Sequence, residues 1–135
     1  MGPVVLDTSV LSAAFDPSDA HHSGAVAAIT ERRLARQPIR ISAVSVAEFH
    51  SVRGSGRDAR IAWLERFVES LGATAIAAVD RRTAEIAGEL RARRPSVKLP
   101  DALIKATADL LGGELLTADR KLSKLDGVIL LRTRA

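Results

Sequence analysis

Short apolar runs alternate along the chain with longer stretches in which apolar residues recur every three or four positions. The short runs predict five β-strands, at residues 3–6, 39–41, 74–79, 114–117 and 128–131. The helical spacing predicts helices at residues 8–14, 19–34, 42–53, 57–71, 81–94 and 99–111. Serine, aspartate, proline and glycine residues mark most of the boundaries between these segments.

The alternation of strands and helices indicates the fold class. Strands joined through helices pair in parallel, because each crossover returns the chain to the same end of the sheet. We therefore predict a three-layer α/β/α sandwich around a central, mainly parallel five-stranded sheet. The length of 135 residues suits one domain spanning residues 1–135.

Acidic residues fall near the ends of several predicted strands. Asp7 follows the first strand directly, and Asp119 comes two residues after the fourth. Glu48 lies on the helix after the second strand, and Asp101 lies in the first turn of a helix. Ligands of such sheets bind beyond the carboxyl ends of the strands, so these carboxylates could converge there.

A convergence of carboxylates would predict a site for a hard cation such as Mg²⁺ or Mn²⁺. Such an ion can polarise a phosphoryl oxygen and activate water for phosphodiester hydrolysis. Each acid also has a structural alternative. Asp7 and Asp119 could cap turns, Asp101 could favour the helix dipole, and Glu48 could face solvent.

The composition narrows the choice of partners and reactions. There is no cysteine, which excludes thiolate ligands, and no apolar run is long enough to span a bilayer. We expect a cytoplasmic protein with no membrane partner. The net charge of +4 fits either a polyanionic partner or simple solubility. His21, His22 and His50 do not share a helix face with one another or with Glu48, so histidine acid–base catalysis is not predicted.

Four segments together resemble the motifs of the PIN-domain family, and within it the VapC-type ribonuclease toxins. They are Val5-Leu6-Asp7-Thr8-Ser9-Val10-Leu11, Ile41-Ser42-Ala43-Val44-Ser45-Val46-Ala47-Glu48-Phe49, Leu99-Pro100-Asp101-Ala102-Leu103-Ile104 and Leu115-Leu116-Thr117-Ala118-Asp119. The segments occur in the family's order and cover nearly the whole chain. Arg120 and Lys121 stand where a further acid sometimes follows, so the resemblance supports one metal ion and leaves a second position open.

The resemblance implies a Mg²⁺- or Mn²⁺-dependent endoribonuclease. Asp7 and Asp101 would be direct metal ligands, and Glu48 and Asp119 would complete the catalytic cluster directly or through water. The implied products carry a 5′-phosphate and a 3′-hydroxyl. Residues beside the acids could bind substrate or orient a carboxylate, although turn hydrogen bonds explain them as well. These are Thr8, Ser9, Thr117, Arg120 and Lys121.

The resemblance also implies partners: an RNA substrate, a small antitoxin protein that blocks the acidic pocket, and a second copy in a homodimer. Trp63 and Phe67 could cover such a partner or belong to the core. Basic residues near the acids could line an RNA path, namely Arg91, Arg93, Arg94, Lys98, Arg120, Lys121 and Lys124.

Other functions stay open at this point. The chain could be a phosphatase that uses Asp7 as its nucleophile, a catalytically silent nucleic-acid-binding module, or a nuclease that acts on DNA or in RNA processing. The residues after Asp7, which are Thr8 and Ser9, do not match the pattern of the phosphatase.

Overall fold

The computed structural model describes residues 2–132, which form one α/β unit around a five-stranded sheet. The strands are β1 (Val4–Leu6), β2 (Ile39–Ser42), β3 (Ile76–Ala77), β4 (Glu114–Thr117) and β5 (Val128–Leu130). The helices are α1 (Thr8–Phe15), α2 (His22–Leu34), α3 (Ala43–His50), α4 (Arg57–Leu71), α5 (Arg81–Arg93) and α6 (Leu99–Leu110). A short 3₁₀ helix at Leu122–Lys124 precedes β5.

All four strand pairings are parallel, and the strand order is β3-β2-β1-β4-β5. The predicted architecture is therefore confirmed. β1 lies at the centre, with Val4 opposite both Ile39 and Glu114. Because the strands run in the same direction, the carboxyl ends of β1, β2 and β4 lie side by side at one end of the sheet. Asp7, Glu48 and Asp119 follow these three strands in the sequence, so they lie near that end.

The central strands are buried on both faces, which explains their unbroken apolar sequences. On one face, Val4 and Leu6 pack with residues of α1, α2, α3 and α4, among them Leu11, Ile29 and Leu64. On the other face, Val5 packs with residues of α6. Helix α5 packs on α6 through small buried residues. The sheet therefore fixes the position of α6, whose first turn carries Asp101.

The approach to β4 depends on a close backbone contact at Gly113. A Cβ atom at this position would collide with the Pro3 carbonyl oxygen, and Glu114 donates its N–H to that same oxygen at 3.1 Å. Gly112 takes a positive φ of 67°, which disfavours residues with a side chain. The predicted connector Gly112-Gly113 is thus needed for the register of β4 against β1.

Several element boundaries differ from the prediction. β3 is only two residues long, because its partner β2 ends at Ser42, opposite Ala77, where the chain turns into α3. α2 begins at His22 rather than near Asp19, whose carboxylate accepts the N–H of His21 at 2.8 Å in the preceding turn. α3 ends at His50, with Ser51 donating its hydroxyl to the Ala47 carbonyl.

Trp63 and Phe67 are partly buried and pack against the main core. Their rings stack at 5.2 Å, and Trp63 also contacts Phe15 and Phe49. Both aromatics therefore contribute to core packing, and their role in covering a partner stays a prediction. Within residues 2–132, none of the helices combines the length and apolar character that a membrane crossing requires.

Candidate active site

Asp7 is held at the junction of β1 and α1 by two hydroxyl groups. Its carboxylate Oδ2 accepts hydrogen bonds from Ser9 Oγ at 2.7 Å and from Thr117 Oγ1 at 2.8 Å. Asp7 occupies the N-cap position of α1, yet its side chain makes no capping hydrogen bond. Since the residue is only 4% exposed, this carboxylate is held inside the protein by the two hydroxyls and does not serve as a helix cap.

The same hydroxyls tie the end of β4 to the start of α1. Ser9 Oγ accepts the N–H of Ala118 at 3.0 Å, and Thr117 Oγ1 accepts the N–H of Asp119 at 3.0 Å. Thr117 therefore contacts the side chain of one predicted acid and the backbone of another. This arrangement fixes the separation between Asp7 and the backbone of Asp119.

Glu48 is oriented by the opposite side of the β1–α1 junction. Thr8 Oγ1 donates a short 2.6 Å hydrogen bond to Glu48 Oε1, and it lies 2.9 Å from the buried Ser45 hydroxyl. Helix α3 begins at Ala43 with Ser42 as its cap, so Glu48 reaches this position one and a half turns into the helix. Glu48 is thus a fixed carboxylate and not a freely solvated one.

Asp101 and Asp119 complete the group of acids. Burial is the largest cause that raises the pKa of Asp101 from 3.8 to about 6. The negative charges of Asp7, Asp119 and Glu48 raise it further, in that order, and Lys98 opposes them weakly. The structure therefore brings the four predicted acids close enough for their charges to interact.

Asp119 and Asp101 also have the local structural positions that the sequence allowed for them. Asp119 Oδ1 accepts the N–H of Lys121 at 2.9 Å, so this side chain does close a turn. Asp101 lies in the first turn of α6 as predicted. Neither contact neutralises a carboxylate charge, and both side chains remain partly exposed. Each can therefore stabilise its local backbone and still offer oxygen atoms to a ligand.

The donor set fits a hard divalent cation. Within residues 2–132, none of the four carboxylates forms an ion pair with a lysine or arginine. The group itself offers carboxylate oxygens, with the hydroxyl oxygens of Thr8, Ser9 and Thr117 bonded to them, and Mg²⁺ and Mn²⁺ prefer such oxygen ligands. In the same described residues, no three acidic or histidine side chains are close enough to surround one ion as they stand. Uncompensated carboxylates repel one another, and a divalent cation would offset that repulsion.

A cavity of about 420 Å³ opens beside the acids, and we call it the active-site cleft. Its lining combines two of the acids with basic and apolar side chains: Arg94, Ser96, Val97, Lys98, Asp101, Asp119, Lys121, Leu122, Lys124 and Leu125. Of the predicted RNA-path residues, Arg91, Arg93 and Arg120 do not line this cleft, and Arg91 donates to the Val97 carbonyl instead. The cleft therefore joins acidic and basic groups within one cavity.

The structure adds residues that sequence reasoning did not single out. Ser45 completes the contact between Thr8 and Glu48, and its place one turn before Glu48 was the available signal. The histidines take no part in the acidic group, as predicted. His22 Nδ1 lies 2.8 Å from the Ala13 carbonyl oxygen, and His50 Nδ1 lies 2.9 Å from that of Val46.

Known structures share this fold over nearly their whole length. FitAcB from Neisseria gonorrhoeae aligns with a TM-score of 0.75 and 23% identity, covering 96% of this chain and 97% of its own. VapBC-5, a toxin–antitoxin system of Mycobacterium tuberculosis, aligns with a TM-score of 0.65 and 24% identity, covering 98% and 99%. A toxin–antitoxin complex from Klebsiella pneumoniae aligns with a TM-score of 0.68 and 24% identity, covering 93% and 95%.

Sequence comparison gives evidence on the family that is independent of the structural alignments. A search of curated proteins found no significant match. The family model described as the PIN domain matches residues 4–128, a range that includes all four acids and every strand except the last two residues of β5. The chain therefore belongs to the PIN domain family.

Proposed function

We propose that this protein is a Mg²⁺- or Mn²⁺-dependent endoribonuclease that acts as the toxin of a VapBC-type toxin–antitoxin pair. The observation that carries the proposal is the group of four carboxylates, without a cationic side-chain partner in the described residues, at the carboxyl edge of the sheet. Membership of the PIN domain family and the fold shared with toxin–antitoxin proteins support it.

In this proposal, Asp7 and Asp101 would ligate the cation, and Glu48 and Asp119 would do so directly or through water. The bound cation would offset the carboxylate repulsion and polarise the scissile phosphate and the attacking water. Ser9 and Thr117 keep Asp7 in place by donating to its Oδ2 atom. No side chain is needed as a covalent nucleophile.

The basic residues of the active-site cleft give the acids access to a polyanion. Lys98, Lys121 and Lys124 line the cavity that contains Asp101 and Asp119. Cationic side chains at this position can bind the phosphates that flank a scissile bond, because each contact releases condensed counterions. The acids themselves repel a phosphate, so the cation and these lysines would together make binding favourable.

The test is cleavage of RNA by the purified chain in Mg²⁺, in Mn²⁺ and after chelation with EDTA. Wild-type protein should cut RNA only with metal, and Asp7→Asn and Asp101→Asn should each lower the rate at least about 100-fold. Glu65→Gln, on the exposed face of α4, is the matched control and should keep full activity. Cleavage that survives EDTA or both aspartate substitutions would exclude the proposed mechanism.

DNA is the alternative substrate, and the same assay separates the two classes. Single-stranded DNA of matching sequence should be cut much more slowly than RNA under the proposal. Equal cleavage of both would replace the ribonuclease with a general PIN-type nuclease. Metal binding without cleavage of either nucleic acid would indicate the catalytically silent binding module.

We further propose that the protein binds an antitoxin and forms a homodimer, as its resemblance to VapC-type toxins implies. The unpaired carboxylates could accept a basic side chain from an antitoxin, which would block metal and substrate together. Light scattering of the purified chain tests the homodimer directly, with a monomer at micromolar concentration as the contradicting result. Co-purification with the product of an adjacent small gene, and loss of RNA cleavage in that complex, would support the antitoxin.

A further inference from the structure

A second cavity of about 270 Å³ adjoins the active-site cleft. Arg94 and Leu125 line both cavities, so the two cavities are neighbours. The remaining lining residues come from α5, α6 and the segment before β5: Ile86, Leu90, Arg93, Lys105, Asp109 and Asp126. We call it the Lys105 cavity.

Lys105 is unusual because its charged end is buried. The residue is 6% exposed, although a lysine on a helix surface normally keeps its ammonium group in water. A buried charge is costly unless it is paired and hydrogen-bonded. The described partner of the Lys105 ammonium is the carboxylate of Asp109, whose side chain is 46% exposed. That one contact uses one of the three N–H donors of the ammonium group.

The surroundings of Lys105 favour an anion as the additional partner. Arg93 and Arg94 line the same cavity with exposed side chains, and Asp109 and Asp126 provide the opposite charge. Lys105 Nζ also faces the turn at Gly127, where a Cβ atom would lie 3.7 Å from it. The lining therefore holds three cations against two acids, and one of the cations is largely shielded from solvent.

Packing alone accounts for only part of what is observed at Lys105. The stem of Lys105 shares the lining of this cavity with the apolar side chains of Ile86, Leu90 and Leu125, and so helps to fill the space there. A leucine or methionine would fill that space without the cost of burying a charge. Packing also does not explain why the cavity lies next to the active-site cleft.

We propose that the Lys105 cavity is a phosphate subsite for the same RNA strand that is cut in the active-site cleft. The strand would place its scissile phosphate near Asp101, pass Arg94, and bind a neighbouring phosphate with Arg93 and Lys105. This inference rests on the proposed function, and it assigns the direction in which the substrate leaves the acids. Arg93 and Lys105 are binding residues here and take no part in the chemical step.

The experiment measures RNA binding separately from RNA cleavage. Variants are made in the Asp7→Asn background, and binding of a labelled single-stranded RNA is followed by fluorescence anisotropy across a salt titration. Arg93→Gln and Lys105→Met remove one charge each, and methionine keeps the unbranched stem of the lysine. Arg66→Gln on α4 is the control, because Arg66 is exposed and lines neither cavity.

Each cavity variant should weaken binding about fivefold near 0.1 M salt and reduce the slope of log K against log salt by about 0.7. Arg66→Gln should leave the slope unchanged. Slopes for Arg93→Gln and Lys105→Met that equal the Arg66→Gln slope would overturn the subsite. If Lys105→Met unfolds, which circular dichroism would show, Arg93→Gln on the surface decides alone.

Wild-type cleavage in the same preparation separates the two proposals. Active wild-type protein with unchanged binding in the cavity variants would refute the subsite and leave the nuclease intact. Wild-type protein that neither binds nor cleaves RNA in the presence of metal would refute the proposed function and the subsite with it.

Discussion

Thr117 Oγ1 donates a 2.8 Å hydrogen bond to the Oδ2 atom of Asp7, although the two residues are 110 positions apart in the sequence. Thr117 ends β4, and Asp7 follows β1, the neighbouring parallel strand. The same hydroxyl accepts the N–H of Asp119. One threonine therefore positions two acids of the candidate active site.

Thr117→Val should lower RNA cleavage and metal affinity about 10- to 100-fold, because groups that orient a metal ligand have effects of that size. The buried Asp7 carboxylate would also lose a hydrogen bond, which should cost about 1 kcal/mol of unfolding free energy. Thr117→Ser keeps the hydroxyl and should retain most of the RNA cleavage, the metal affinity and the stability. If the valine and serine variants bind metal equally well, Thr117 only stabilises the fold.

Asp101→Asn should stabilise the metal-free protein at neutral pH. Burial, and then the charges of Asp7, Asp119 and Glu48, raise the pKa of Asp101 to about 6. The folded state therefore binds the proton more tightly than the unfolded chain, and stability is lost as pH rises from about 4 to about 6. Solvent screens this half-buried group, so the gain at pH 7 should be about 1 kcal/mol.

Urea denaturation of both proteins in EDTA, at neutral pH and near pH 4, measures this gain. The difference should shrink at the lower pH, where Asp101 is protonated in the folded state and no longer repels the other acids. An asparagine variant that is less stable than wild type at both pH values would contradict the inferred repulsion.

Binding of Mn²⁺ should show one ion per chain and should weaken as pH falls below about 6, because protons then compete for Asp101. Asp7→Asn should reduce the affinity at least about tenfold, as expected when a charged ligand becomes neutral. Titration calorimetry or the paramagnetic resonance of free Mn²⁺ gives the stoichiometry. Two equivalent ions, or an affinity that does not change across this pH range, would contradict the predicted site.

Lys121→Gln should weaken RNA binding and reduce its salt dependence, whereas Arg120→Gln should do so much less. The two residues are adjacent and both exposed, but only Lys121 lines the active-site cleft. Loss of one phosphate contact should reduce the slope against log salt by about 0.7. Equal slopes for the two variants would mean that the substrate does not follow this cleft.

The sequence predicts most of the fold because the strands and helices have different apolar periods. The helix Arg57–Leu71 and the strand Glu114–Thr117 have the predicted bounds. β3 and the ends of α2 and α3 differ from the prediction, since a run of apolar residues does not show how many of them pair in a sheet or enter a helix. The positions of the acids allowed their convergence, and only the resemblance to the PIN-domain family favoured it over the capping alternatives.

The contacts around the acids depend on tertiary structure and could be predicted only in part. Thr8, Ser9 and Thr117 lie beside the acids in the sequence, but their positions suit turn hydrogen bonds equally well. Lys105 was not singled out, because a lysine four residues before an aspartate is typical of a solvated helix face. Only the packing of α5 on α6 shows that this charge is buried.

The central claim is that the four carboxylates hold a metal that cleaves RNA, and mapping RNA ends after induction in cells tests it most directly. Wild-type protein should create new 5′-phosphate ends at specific sites, and Asp7→Asn, expressed at the same level, should create none. New ends of equal abundance with Asp7→Asn, or new ends that carry 5′-hydroxyl groups, would contradict the account.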